Sequence, residues 1–250
     1  MTIKSIQDKT VLITGANRGI GKAYALAFLN AGAKRIYVAA RNPESLKELV
    51  NTDPQKLIPL QLDVTLPAHI DAAAKQAEDV EVLVNNAGVL FTDTVLDTDI
   101  EKARQQMEVN YIGPLALTKA FAPILKANGG GMVITVSSIA GKVSFPGIIT
   151  YSASKFAAEA LIHGFRTDLA AQGTRVIGVY PGPIDTDMTK EMPFDNKSSA
   201  ACVAEETLKV IAEGGEDVLP DAMAKDLYAG LRQDPQALYQ QLRLPALQPA

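Results

Sequence analysis

Six short runs of apolar, mostly β-branched residues alternate with helix-like stretches along most of the chain. Several of these runs are almost continuously apolar, as expected for strands that helices cover on both faces. The alternation predicts an α/β fold of Rossmann type, with a doubly wound parallel sheet. The predicted strands are Thr10–Thr14, Arg35–Ala40, Leu57–Leu62, Val82–Val84, Met132–Ser137 and Arg175–Tyr180.

Two long helical stretches, Asp97–Ala127 and Tyr151–Ala171, fill the middle of the chain. We predict a kink in the first at Gly113-Pro114, because proline disrupts a helix interior. After Pro181 the pattern loosens into a loop around 183–198, which we expect to cover a substrate pocket. No linker rich in Pro, Gly or Ser divides the chain, so we predict one domain over residues 1–250. Its helical C-terminal segment is predicted near Ser199–Glu213, Asp221–Arg232 and Asp234–Leu242.

Charge and composition limit the partners of the protein. The formal net charge is -4, whereas nucleic-acid-binding proteins normally carry a basic surplus, so we predict no nucleic-acid partner. No apolar run reaches the roughly 18 residues of a membrane span, and the N-terminus lacks the apolar core of a signal peptide, so we expect no membrane partner. Cys202 is the only cysteine, which favours a reducing compartment such as the cytoplasm. His69 and His163 lie far apart, and we predict no metal site.

The first predicted strand runs directly into a glycine-rich turn and then into a helix. Glycines in such a turn let backbone N–H groups approach a pyrophosphate, and the helix N-terminus adds partial positive charge. Strand, turn and helix together therefore predict a dinucleotide site. The turn reads Thr14-Gly15-Ala16-Asn17-Arg18-Gly19-Ile20-Gly21.

Three residues separate the first two glycines, so the turn departs from the G-x-G-x-x-G form. It resembles the T-G-x-x-x-G-x-G turn of the short-chain dehydrogenase/reductase family. Further segments resemble that family in the same order, over about residues 10 to 190: Leu62-Asp63-Val64, Asn85-Asn86-Ala87-Gly88 and Pro181-Gly182-Pro183-Ile184-Asp185-Thr186. The resemblance implies that a cofactor is bound by Thr14, Gly15, Asn17, Arg18, Gly19, Ile20, Gly21, Arg41, Asp63, Val64, Asn86, Ala87, Gly88, Tyr151, Lys155, Pro181, Gly182, Ile184 and Thr186.

The end of the second predicted strand indicates which cofactor is bound. NAD-binding Rossmann proteins usually carry Asp or Glu there for the ribose 2′-hydroxyl, but this chain has Ala40 followed by Arg41. Arg18 should point toward the same region from the glycine turn. Two guanidinium groups suit a 2′-phosphate, so we predict NADP(H). The alternative is that both are ordinary surface arginines.

Tyr151 and Lys155 are four residues apart in a predicted helix, so both can project into one cleft. A nearby ammonium group, joined by a positively charged oxidised nicotinamide, favours tyrosinate, and we expect the two together to lower the pKa of Tyr151. The resemblance implies that Ser138, thirteen residues before Tyr151, hydrogen-bonds the reacting oxygen. Ser137 competes for that role, but strand alternation should turn it away. The resemblance also implies that Asn110 holds a water linking Lys155 to solvent.

These residues predict an enzyme that interconverts a carbonyl and an alcohol by hydride transfer, with Tyr151 as acid and base. Ser152-Ala153-Ser154-Lys155 also fits the S-x-x-K motif of serine acyl transferases, but the companion S-D-N and K-T-G segments are absent from the sequence. A non-catalytic dinucleotide sensor on the same fold is the other alternative.

The family resemblance ends near the C-terminus, where the sequence shows no glycine-rich final strand and instead reads Asp217-Val218-Leu219-Pro220-Asp221. We expect apolar side chains of the 185–197 loop to meet a ketone, aldehyde or secondary alcohol of apolar character. Alanine-rich faces of the two long helices suggest a homodimer or homotetramer. The apolar candidates are Met188, Met192 and Phe194, with Phe145 and Ile148 opposite.

Overall fold

A computed structural model describes residues 4–192 and 194–242. Seven parallel strands form one sheet in the order β3-β2-β1-β4-β5-β6-β9. The predicted doubly wound α/β fold is confirmed. The predicted domain span of 1–250 includes residues 1–3, 193 and 243–250, which lie outside the described residues. The sheet strands are β1 Thr10–Thr14, β2 Arg35–Ala40, β3 Leu57–Gln61, β4 Val82–Asn85, β5 Met132–Val136, β6 Arg175–Val179 and β9 Asp217–Val218.

Helices cover both faces of the sheet and bury an apolar cluster on each. One cluster includes Tyr24, Phe28 and Ile211, and the other includes Phe121 and Ile162. The strands therefore read as apolar runs because neither face meets water. The helices are α1 Gly19–Asn30, α2 Lys47–Val50, α3 Pro67–Gln76, α4 Ile100–Met107, α5 Gly113–Ala127, α6 Ile149–Asp168, α7 Ala200–Glu213, α8 Ala222–Gln233 and α9 Pro235–Leu242.

The long helical stretch predicted from Asp97 begins later, and it is interrupted before Gly113. Helix α4 begins after Asp99, whose carboxylate accepts the N–H groups of Glu101 and Lys102 as an N-cap. In place of a proline kink, a π-helical turn over Glu108–Ile112 joins α4 to α5. Proline lies in the first turn of α5, where its missing N–H breaks no helical hydrogen bond.

The C-terminal part contains a final strand that its sequence hides. Although glycine-rich spacing is absent there, β9 pairs with β6 through Gly178–Asp217 and Val179–Val218. Only two residues pair, which is too short for an alternating or continuous apolar pattern to stand out. Helices α8 and α9 follow and bury Leu238 and Leu242 against Val143.

The predicted loop around 183–198 is confined at its base. Two short strands, β7 Ile184–Asp185 and β8 Ser198–Ser199, pair in parallel and bring its ends together. Position 193 lies outside the described residues. Within the described ranges, none of the helices is both long and apolar enough to cross a bilayer.

Candidate active site

A cleft of about 1550 Å³ lies at the carboxyl ends of the strands. It begins between β1 and β4, where the strand order reverses, which is the usual ligand position in an open α/β sheet. Nearly all of the predicted site residues line it; Thr14, Gly21 and Asn110 do not and lie one layer behind. The predicted residues in its lining are Gly15, Asn17, Arg18, Gly19, Ile20, Arg41, Asp63, Val64, Asn86, Ala87, Gly88, Ser138, Tyr151, Lys155, Pro181, Gly182, Ile184 and Thr186.

The glycine turn forms a cradle that side chains would fill. Gly15 has φ +64° and Gly19 has φ +52°, a region that favours glycine. A Cβ on Gly21 would lie 2.2 Å from the Gly15 carbonyl oxygen, so the turn packs directly on α1. No side chain among the described residues caps α1 at Arg18, and its first turn holds no acid. The N–H groups there remain available to an anion, which fits a dinucleotide pyrophosphate.

Thr14 and Asn86 fasten the glycine turn to the next strand of the sheet. The Thr14 hydroxyl accepts the N–H groups of Asn86 and Ala87, both at 3.0 Å, and donates to the Val84 carbonyl at 3.2 Å. The Asn86 amide donates to the carbonyls of Thr14 at 2.8 Å and Gly15 at 3.3 Å. These five hydrogen bonds make the floor of the cleft rigid, although neither Thr14 nor Asn86 carries a charge.

Arg18 and Arg41 lie at the outer end of the cleft, and both are exposed. The Arg18 guanidinium pairs with Asp187 of the 183–198 loop at 3.2 Å, a contact that the sequence did not predict. Ala40 is buried and offers no side-chain acceptor. Asn42 and Ser45 line the same end and were not predicted, although they directly follow Arg41 in the sequence.

Asp63 and Val64 form the next part of the wall. The Asp63 carboxylate accepts the N–H of Thr65 at 2.9 Å and its hydroxyl at 2.7 Å, while the Asp63 N–H donates to His69 Nδ1 at 3.2 Å. His69 therefore accepts a hydrogen bond from the backbone and helps to hold this turn in place. Among the described residues, no group of three or more His, Cys, Asp or Glu side chains could hold a metal ion.

Helix α6 places Tyr151 and Lys155 one turn apart, with 7% and 5% of their surfaces exposed. Lys155 Nζ lies 5.7 Å from the Tyr151 ring centroid and donates to the Val136 carbonyl at 3.0 Å. The Ser138 hydroxyl accepts the Ala140 N–H at 3.0 Å. Ser137 also lines the cleft, so strand alternation does not turn it away as predicted, but its hydroxyl donates to the Lys155 carbonyl at 3.2 Å.

Burial, rather than Lys155, dominates the ionisation of the tyrosine. Burial raises the pKa of Tyr151 to about 12, with partial opposition from its hydrogen bond to Ser138. Burial also lowers the pKa of Lys155 to about 8. The predicted lowering of the Tyr151 pKa assumes a positively charged nicotinamide beside Lys155, so it stays a prediction. Without that charge, removing the two groups from water disfavours the charged form of each.

Asn110 lies in the π-helical turn, a feature frequent at functional sites. Its Oδ1 accepts the Val89 N–H, and its Nδ2 donates to the Val89 carbonyl and the Ser154 hydroxyl, each at 2.9 Å. The side chain thus joins the wall after Gly88 to the helix that carries Tyr151. The predicted role of Asn110, to hold a water molecule that links Lys155 to solvent, stays a prediction.

The start of α6 depends on a residue that the sequence analysis missed. The Asp93 carboxylate accepts the Thr150 hydroxyl at 2.6 Å and the Thr150 N–H at 3.4 Å. The buried Gln106 amide donates to the same hydroxyl at 2.5 Å and accepts the Phe91 N–H at 2.9 Å. An isolated aspartate carries no spacing signal, so the sequence could not reveal this cap.

The far end of the cleft is largely apolar. All five predicted apolar candidates line it: Phe145, Ile148, Met188, Met192 and Phe194. The structure adds two apolar groups that no motif marks, one after the Asn85–Gly88 turn and one from the C-terminal helices. These are Val89, Leu90 and Phe91, and Met223, Leu227 and Leu242.

Gly21→Ala should remove dinucleotide binding, because the added methyl group would meet the Gly15 carbonyl and the Asn86 amide at 2.2 and 2.6 Å. We expect the dissociation constant for NADPH, measured by fluorescence titration, to rise about tenfold or more. Gly164→Ala is the control, since nothing lies within 4 Å of its added methyl group. Unchanged NADPH binding by the Gly21 variant would contradict this account of the cradle.

Known proteins resemble this chain in sequence and in structure. The family described as short chain dehydrogenase matches residues 9–197. Dehydrogenase/reductase SDR family member 7B of Xenopus laevis is 36% identical over 197 residues, which are 74% of this chain and 61% of that protein. An NADP-dependent 3-hydroxy acid dehydrogenase of Schizosaccharomyces pombe is 31% identical over 229 residues, covering 88% of each.

A crystal structure of a short chain dehydrogenase from Burkholderia cenocepacia J2315 in complex with NADP superposes with a TM-score of 0.91 at 38% identity. It covers 96% of this chain and all of that one. The match over residues 9–197 includes the glycine turn, Ser138, Tyr151 and Lys155. The chain therefore belongs to the short-chain dehydrogenase/reductase family of enzymes.

Proposed function

We propose that this protein transfers a hydride between NADP(H) and a carbonyl or alcohol substrate, with Tyr151 as the acid in reduction and the base in oxidation. The observation that carries the proposal is the grouping of Tyr151, Lys155 and Ser138 beside the glycine cradle in one cleft. Family membership supports an oxidoreductase, and the three intact side chains oppose a non-catalytic sensor.

NADP(H) is the cofactor that we assign. The Burkholderia cenocepacia structure holds NADP, and the Schizosaccharomyces pombe relative is named as NADP-dependent. In this chain the glycine cradle would hold the pyrophosphate, and Arg18 and Arg41 would hold the 2′-phosphate. Pro181, Gly182, Ile184 and Thr186 would meet the nicotinamide end. When bound, the cofactor supplies or accepts the hydride.

Tyr151 is suited to give a proton. With a pKa near 12, the hydroxyl is protonated at neutral pH and can donate to the substrate oxygen during reduction. The Ser138 hydroxyl can donate to the same oxygen where negative charge develops. In oxidation Tyr151 must first lose its proton, so that direction should accelerate as pH rises. A cationic group beside Tyr151 would favour this loss.

The substrate that the cleft favours is apolar. Phe145, Ile148, Met188 and Phe194 line the same cleft as Tyr151, and Leu227 adds an apolar side chain from α8. Such a lining suits a ketone, aldehyde or secondary alcohol with a hydrocarbon body. Methionine side chains can adapt to several shapes, which favours a range of substrates over one.

We further propose that the protein acts in the cytoplasm, with no nucleic-acid or membrane partner, as a homodimer or homotetramer. The reducing compartment suits a chain with Cys202 as its only thiol. Ile112 and Phe156, beside or within the two long helices, keep 38% and 40% of their surfaces exposed. Apolar side chains on these helices could be covered by a second copy.

Tyr151→Phe removes the transferable proton with little change in volume. We expect turnover to fall by about 10²–10⁴-fold, because acid–base catalysis contributes an effect of this size, while NADPH binding survives. The measurement is steady-state kinetics on a panel of apolar carbonyls, with fluorescence titration of NADPH as the folding control. Near-normal turnover by the variant would exclude Tyr151 as the acid.

Arg41→Ala should lower kcat/KM for NADPH about tenfold and leave kcat/KM for NADH nearly unchanged. A charged hydrogen bond to the 2′-phosphate accounts for a difference of this size, because solvent at an exposed site weakens it. Ala40→Asp should shift the preference toward NADH by repelling the 2′-phosphate. Lys56→Ala is the control, because it also removes a positive charge, from a half-buried side chain outside the cleft lining. Equal kcat/KM values for both cofactors in the wild type would contradict the assignment.

Light scattering at micromolar concentration should give the mass of a dimer or tetramer. Phe156→Glu should shift the population toward the monomer, because a charge buried between copies is unfavourable. Phe194→Glu, on the loop over the cleft and equally exposed, is the control. A wild type that stays monomeric would end this proposal.

A further inference from the structure

The peptide bond between Pro181 and Gly182 is held from both sides. Its carbonyl oxygen accepts the Ile139 N–H at 2.9 Å and the Ser138 hydroxyl at 3.3 Å. Its N–H donates to the Asp221 carboxylate at 2.7 Å. Since the C=O and N–H of a trans peptide point in opposite directions, these contacts fix the rotation of the whole unit.

Asp221 is placed for this contact by the end of the sheet. It follows β9 closely, and β9 is tied to β6 by the Tyr180 N–H, which donates to the Val218 carbonyl at 2.9 Å. Asp221 keeps only 6% of its surface exposed. A Cβ on Gly182 would lie 2.6 Å from Asp221 Oδ1, so the approach requires glycine at that position.

The same carboxylate also begins α8. Its other oxygen accepts the Ala224 N–H at 2.9 Å as an N-cap. Helix α8 carries Met223 and Leu227 into the lining of the cleft. One buried side chain therefore joins the peptide beside Ser138 to the helix over the substrate end.

A carboxylate bonded to a peptide N–H strengthens the acceptor at the other end of that peptide, because hydrogen bonds in series polarise one another. Here the strengthened acceptor is the Pro181 carbonyl, which receives the N–H of Ile139, the residue directly after Ser138, as well as the Ser138 hydroxyl. The Ser138 side chain also hydrogen-bonds Tyr151. The hydroxyl has one proton, which must turn from Pro181 to reach a substrate oxygen, so the carboxylate of Asp221 fixes the position of Ser138 and not the direction of its proton.

We propose that Asp221 is a positioning residue, which acts through the Pro181–Gly182 peptide to hold Ser138 in place and which also holds α8 over the substrate end. The inference rests on the proposed function, because the position of Ser138 matters only if its hydroxyl meets a reacting oxygen. The C-terminal segment would thus help to position Ser138, which neither the glycine turn nor the Tyr151–Lys155 pair does.

Asp221→Ser separates the two roles of the carboxylate. Serine is also a favourable N-cap, so the start of α8 should persist, but its shorter side chain cannot also reach the Gly182 N–H. We expect kcat for an apolar carbonyl to fall about tenfold, the size that a charged hydrogen bond can supply. NADPH binding should weaken about threefold by fluorescence titration, with a melting temperature within about 2 °C of the wild type.

Asp234→Ala is the matched control. Asp234 caps the adjacent helix α9 by accepting the Ala237 N–H at 3.0 Å, is exposed and does not line the cleft. Its loss should lower the melting temperature slightly and leave kcat and NADPH binding unchanged. If this variant loses as much activity as the Asp221 variant, a general loosening of the C-terminal helices explains both losses and the proposal is overturned.

Wild-type kcat and NADPH affinity in Asp221→Ser would likewise overturn it. If Asp221→Ser does not fold, Asp221→Asn keeps the side-chain shape but offers one oxygen to two N–H groups, so the same loss of kcat is expected and wild-type kcat is again the contrary result. A wild type that binds no NADPH would instead refute the proposed function. Binding and turnover by the wild type with no change in the variants would refute only the role of Asp221.

Discussion

The hydroxyl of Thr14 is the contact on which the rest of the site depends. It lies at the end of β1 and bonds to three backbone groups at the end of β4, where the strand order of the sheet reverses. The helices that follow these two strands pack on opposite faces of the sheet, which leaves a crevice above the strand ends, and the hydroxyl holds the two strand ends together beneath it. Asn86 then holds the glycine turn beside this crevice through two hydrogen bonds to backbone carbonyls. The turn is therefore fixed by uncharged side chains, Thr14 and Asn86.

The end of the cleft around Tyr151 differs from the glycine turn, because it buries side chains that can carry a charge. Tyr151 and Lys155 both lose charge by burial, one with its pKa raised to about 12 and the other with its pKa lowered to about 8. Burial also raises the pKa of the core tyrosines Tyr24 and Tyr180, so it is the position of Tyr151 and Lys155 in the cleft, and not the shift alone, that indicates a functional site. The arrangement keeps the tyrosine protonated, and a cationic ligand can reverse that preference.

The sequence predicted the sheet and the glycine turn well, because continuous apolar strands and positive-φ glycines are local requirements. Helix periodicity also placed Tyr151 and Lys155 on one face, and the family resemblance added Ser138 to them. The sequence could not predict that burial outweighs Lys155 in setting the pKa of Tyr151, because burial is a property of the whole fold. The strand β9, the pairing of Arg18 with Asp187 and the role of Asp221 all depend on contacts between distant segments.

The Asp93 cap on α6 has a consequence for Tyr151. Asp93 and Thr150 are separated by 57 residues in the chain. Ile148, the residue at the N-cap position of α6, makes no side-chain cap hydrogen bond. The first turn, which contains Tyr151, therefore lacks a start signal of its own, and helix ends without caps fray. Tyr151 is thus held in place by a contact between distant parts of the chain as well as by the helix that carries it, so a change in the segment that follows β4 can disturb Tyr151 without touching it.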